Sequence, residues 1–81
     1  MFLEIVTPDS KVFDGEITSI TLPGIEGSFQ ILSNHAPIVS ALGKGKLVVV
    51  TPSESMEFDL EGGVIEMNNN KVIVLAESIS K

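Results

Sequence analysis

His35 is the single histidine of the chain, and it lies in a polar Ser33-Asn34-His35 break ahead of Pro37. An imidazole titrates near neutral pH and suits general-base or metal-ligand chemistry. A base needs an orienting partner, however, and the sequence offers no second histidine and no cysteine to build one. His35 therefore reads as a loop or interface residue. Glu57, Asp59 and Glu61 alternate on one strand face and resemble an oxygen-ligand set for a hard cation, but no calcium-type loop accompanies them, so the solvated-face reading wins. Gly24-Ile25-Glu26-Gly27 places an acid where a phosphate would sit, with no helix following to supply a positive N-terminus. Ser28, Ser33 and Ser40 have no base to activate them. These residues predict no catalytic group, no metal site and no cofactor.

The polar loop around His35 is flanked by Ile31-Leu32 and Ile38-Val39, which predicts an exposed loop between two buried strands. Before it, Phe2 to Thr7 is β-rich and ends at the turn Pro8-Asp9-Ser10. Asp14-Gly15 predicts a hairpin. Glu16 to Leu22 predicts a strand with a bulge near Thr18 and Ser19, where the alternation slips once. Pro23 to Gly27 predicts a loop.

After Gly43 and Gly45, Lys46 to Thr51 is apolar on both faces and predicts a strand covered on both, with Lys44 and Lys46 as edge protection. Pro52 to Glu54 turns the chain into Ser55 to Glu61, where Met56, Phe58 and Leu60 face one way and the acids the other. Gly62-Gly63 opens Val64 to Met67, Asn68-Asn69-Asn70 predicts a tight hairpin, and Val72 to Ala76 is a second doubly apolar run. Turn signals about every 8 to 12 residues, with no helical stripe, predict an all-β sandwich or barrel. One domain spanning 1–81 accounts for the whole sequence.

At 81 residues a chain buries only roughly 60–65% of its unfolded surface. Its 43% hydrophobic content includes four phenylalanines and no tryptophan or tyrosine, so Ile, Val and Leu must fill the core. Eleven acids against five lysines, with no arginine, give a net charge of −6 and argue against nucleic acid as a partner. The absence of cysteine excludes disulfides. The N-terminus lacks a signal peptide's basic region, and no apolar run approaches the roughly 20 residues that span a bilayer, so a soluble, cytoplasmic protein is expected.

Phe13 with Gly15, Gly24 and Gly27, His35-Ala36-Pro37, Ala41-Leu42, Gly45, Gly62-Gly63 and the closing Val72 to Glu77 run nearly the length of the chain. In this order the chain resembles the N-terminal β-sandwich domain of the epsilon subunit of F-type ATP synthase. The resemblance implies a sandwich of two sheets with about ten short strands, in a non-catalytic rotor subunit. Such a subunit binds gamma and the c-subunit ring and couples proton translocation to ATP synthesis. It further implies that Thr7, His35 and Ser40 face gamma, and that Ile25, Glu26 and Ser28 face the c ring. Ser28 stands where many relatives carry an acid. A peripheral position on the cytoplasmic face of the bacterial inner membrane is expected, with no small-molecule substrate. Most members continue into a helical hairpin that can inhibit hydrolysis; if Lys81 is the natural end, this subunit couples without inhibiting. A small ligand- or protein-binding β module is the alternative.

Overall fold

The computed structural model describes all residues from Met1 to Lys81. Its elements are β1 (Phe2–Val6), β2 (Lys11–Glu16), β3 (Ser19–Gly24), β4 (Gly27–Leu32), β5 (Ile38–Leu42), β6 (Gly45–Val50), β7 (Ser55–Leu60), β8 (Gly63–Asn68), β9 (Lys71–Ala76) and β10 (Ile79–Ser80), with no helix. The first layer runs β4-β3-β6-β7-β10 and the second β5-β8-β9-β1-β2. A single pairing, Gly24 with Leu42, joins them into one curled sheet. Every strand pair is antiparallel except β1 with β9, which is parallel.

Period-2 patterning explains the packing, since alternate residues of each strand point to the same face. Leu3 and Ile5 of β1, Ile20 and Leu22 of β3, Leu47 and Val49 of β6, and Val72 and Val74 of β9 are fully buried. Each such side chain removed from water contributes about 1.5–3 kcal/mol, so an aliphatic core substitutes for missing aromatics. No buried side-chain nitrogen or oxygen lacks a hydrogen-bond partner.

Several expectations are corrected. Asp14-Gly15 forms no hairpin: β2 passes straight through it, with Asp14 opposite Glu4 and Gly15 opposite Leu3. Both residues find ladder partners on β1, so the Asp-Gly pair stays in the strand. The slip near Thr18 is a strand boundary, not a bulge, since Thr18 donates its amide to the Val50 carbonyl as the chain crosses between layers. The expected Pro23 to Gly27 loop is mostly strand. Pro23 pairs with Ser28 and Gly24 with Gly27, leaving a two-residue turn at Ile25-Glu26.

The strands flanking His35 are only half buried. Ile31 is inside, while Leu32 is 54% and Val39 70% exposed. Lys46 lies on an interior strand between β3 and β7, so it protects no edge. The doubly apolar runs are covered fully on one face only: Val48, Val50 and Ile73 are half-buried, and Leu75 is exposed. The Asn hairpin forms as expected, with Asn69 and Asn70 at φ 52° and 61°. This left-handed pair suits a two-residue hairpin turn.

Candidate functional site

Strand direction sorts the connections into two ends. The turns Thr7–Ser10, Ile25-Glu26, Gly43-Lys44 and Glu61-Gly62 share one end; the His35 loop, Thr51–Glu54 and Asn69-Asn70 share the other. Thr7 and His35 thus lie at opposite ends. The Thr7 hydroxyl is engaged in its own turn, accepting from the amides of Asp9 and Ser10 at 3.3 and 3.1 Å. His35 is exposed, with Nδ1 2.7 Å from the Ala36 carbonyl oxygen.

Ser40 lies mid-strand on the inward parity of β5, opposite the buried Ile65. It lines a cleft with Gly24, Ile25, Glu26, Gly27 and Phe29, so it keeps company with the hairpin and not with His35. Ile25, at that hairpin's tip, is 67% exposed. Ser28 is exposed on β4.

Register shows a surface that residue types alone did not reveal. On the outer face of the second layer Ala41 pairs with Val64, Val64 with Leu75, and Leu75 with Val6. An apolar row therefore crosses β5, β8, β9 and β1. The adjoining row, Val39, Glu66, Ile73 and Glu4, alternates apolar and acidic. An open groove of about 390 Å³ ends the apolar row at Val6, Pro8, Val64 and Leu75, beside Thr7. At the opposite end Pro37, two residues after His35, lines a second depression with Val39 and Glu66. Thr7 lines the first groove, and the His35 loop leads into the second. The signal was present in Leu75 and Val64, but choosing between burial and exposure required the pairing.

The first layer's outer face differs. Lys46 meets Asp59 at 2.8 Å across the β6–β7 pair, Lys44 lies 3.9 Å from Glu61, and Gln30, Thr21 and Glu57 add polar side chains, interrupted by half-buried Val48 and Val50 and exposed Leu32. The bond from Asp59 raises the Lys46 pKa above its ordinary 10.5. Asp14, then Glu4, raise that of Lys11 in the same sense. Glu57, Asp59 and Glu61 converge on no common point, and no three His, Cys, Asp or Glu side chains are arranged to hold a metal ion. No helix is long and apolar enough to cross a membrane.

Residues 1–81 match the family described as ATP synthase, Delta/Epsilon chain, beta-sandwich domain. The chain is 44% identical over 79 residues to the ATP synthase epsilon chain of Chlorobium limicola, covering 96% of this chain and 90% of that protein. To the epsilon chain of Maridesulfovibrio salexigens it is 46% identical over 81 residues, covering all of this chain and 57% of that protein. Among solved structures, a chain of the Euglena gracilis mitochondrial ATP synthase OSCP/F1/c-ring assembly is similar with a TM-score of 0.89. That match, at 22% identity, covers 95% of this chain and 50% of the other. A chain of the Tetrahymena thermophila mitochondrial ATP synthase central stalk/c-ring structure gives 0.83 at 23% identity, covering 96% and 63%. These last two likenesses speak for the fold alone. Sequence match over the full 1–81 span and the sandwich itself agree: the chain belongs to the ATP synthase delta/epsilon family and forms its β-sandwich domain.

Proposed function

We propose that this domain is a non-catalytic component of the central stalk of an F-type ATP synthase, docked on gamma by the outer face of its second layer. The observation that carries the reading is the unbroken apolar row Ala41, Val64, Leu75 and Val6, whereas each row across the first layer's outer face is broken by polar or charged side chains. A soluble domain gains nothing from exposing Leu75 at 52% and Val39 at 70% on one side unless another surface covers them. Thr7 and His35, at opposite ends of the strands, touch gamma. Ser40 acts from beneath, as a spacer under the strand. The exposed tip formed by Ile25 and Glu26, with Ser28 beside it, meets the polar loops of the c-subunit ring.

Area permits both contacts. A standard interface buries about 800 Å² per partner, roughly a sixth of the 4537 Å² accessible here. Torque transmission needs a stiff, close-packed body and no activated side chain, which is what the aliphatic core supplies. In the assembled complex the domain sits peripherally at the cytoplasmic side of the membrane, coupling proton movement to ATP synthesis. A small-ligand module is less well supported, because the grooves are open and no set of polar groups converges in them.

The test is calorimetric titration into purified gamma. Leu75→Glu is expected to weaken binding at least about tenfold, His35→Ala to weaken it less, and Thr21→Glu on the opposite layer to leave it unchanged. Equal affinity for Leu75→Glu and the parent chain overturns the assignment of the face. No binding by the parent chain overturns the rotor reading.

A further inference from the structure

Asn70 is a three-way junction. Its backbone adopts the left-handed second position of the β8–β9 turn, its carbonyl accepts the Phe2 amide at 3.1 Å, and its side-chain Oδ1 accepts the Asn34 amide at 2.8 Å. Each of the three reaches a different part of the chain: the backbone turn closes the hairpin, the carbonyl bond anchors the start of β1, and the side-chain bond reaches the loop that carries His35.

That loop has little else to hold it. Asn34 takes a left-handed φ of 67°, His35 donates its amide back to the Leu32 carbonyl at 3.2 Å, and residues 33–37 are exposed. The loop joins β4, in one layer, to β5, in the other. An exposed polar link of this kind is held in direction only by the few bonds it makes. The side chain of Asn70 is the group from outside the loop whose hydrogen bond fixes it.

We propose that Asn70 is a positioning residue for the gamma-facing loop: its carboxamide, held by the second layer's turn, sets the direction in which His35 is presented. This rests on the docking reading above. The chemistry separates cleanly, because glycine adopts the left-handed backbone without strain and keeps the main-chain carbonyl for Phe2, while deleting only the acceptor for Asn34. Aspartate restores the acceptor.

The experiment pairs amide hydrogen exchange with gamma titration on the full chain. For Asn70→Gly the Asn34 amide is expected to exchange about tenfold faster while the β8 and β9 amides stay protected. Gamma affinity is expected to fall severalfold, and Asn70→Asp to recover both. A merely structural residue would instead loosen the whole sheet and lower the melting temperature together with every core amide. Unchanged Asn34 exchange overturns the clamp. Faster exchange with full gamma affinity overturns its positioning role and leaves the docking reading intact, whereas failure of the parent chain to bind gamma overturns the docking reading and the role built on it.

Discussion

Gly63 and Gly27 both have a positive φ, at 148° and 132°, but their surroundings differ. A Cβ at Gly63 would overlap the Leu75 carbonyl oxygen of the paired strand, whereas one at Gly27 would meet nothing within 4 Å. Alanine at Gly27 therefore carries only the backbone strain, about 1 kcal/mol. Gly63→Ala is expected to cost at least about 2 kcal/mol, because β8 must also shift against β9. Urea unfolding of the two variants side by side measures the difference. The lysine pairs act in another range. Lys11 and Lys46 have raised pKa values, so their contributions are complete below 10.5 and fade as pH rises through the folded values. Stability is expected to decline in that alkaline window, and to decline less in a Lys11→Met, Lys46→Met double variant, as followed by urea midpoints from pH 9 to 12.

Two turns at the level of the element share one construction. In Thr7-Pro8-Asp9-Ser10 and in Thr51-Pro52-Ser53-Glu54, the threonine hydroxyl accepts the next two available amides, and its own amide donates to the fourth residue's carbonyl at 2.8 Å. Proline after threonine has no amide to satisfy, so one hydroxyl completes the turn. Thr51→Val keeps the shape and removes the acceptor; a loss of about 1–2 kcal/mol is expected in chemical denaturation. Thr7→Val is expected to match it, since the same bonds are lost.

The sequence signalled both turns through Pro8 and Pro52 but not the threonines' part in them, because a hydroxyl's partner depends on local backbone geometry. The clean alternation of Ser55 to Glu61 and the asparagine hairpin were equally legible. Asp14-Gly15 and Pro23 to Gly27 misled for one reason: a turn-forming residue remains in a strand when neighbouring strands supply its ladder bonds. Ile79 and Ser80 were missed because two residues carry no period; their strand exists only by pairing with Leu60 and Asp59.

Across the whole molecule, one core serves both layers, and the Gly24–Leu42 pairing keeps them continuous. Leu47, fully buried in that core, is expected to cost about 2–5 kcal/mol when replaced by alanine. Thermal and urea transitions are expected to coincide across probes as one cooperative step, and separate transitions for the two layers would contradict the shared core. The candidate surface was least legible at this scale. His35 and Thr7 stood out by type and resemblance, but the apolar row exists only once Val6 of the distant β1 is brought into register with Val64 and Leu75 of the β8–β9 hairpin.

The parallel contact of β1 with β9 sets a schedule for synthesis. β1 leaves the ribosome first, with β2 as its sole early neighbour, and a lone two-stranded ribbon is marginal in water. Its other edge waits until Lys71 to Ala76 have emerged. Nascent chains arrested before Lys71 should therefore remain open to protease and to chaperones, and the domain should close only after nearly all of it has been translated.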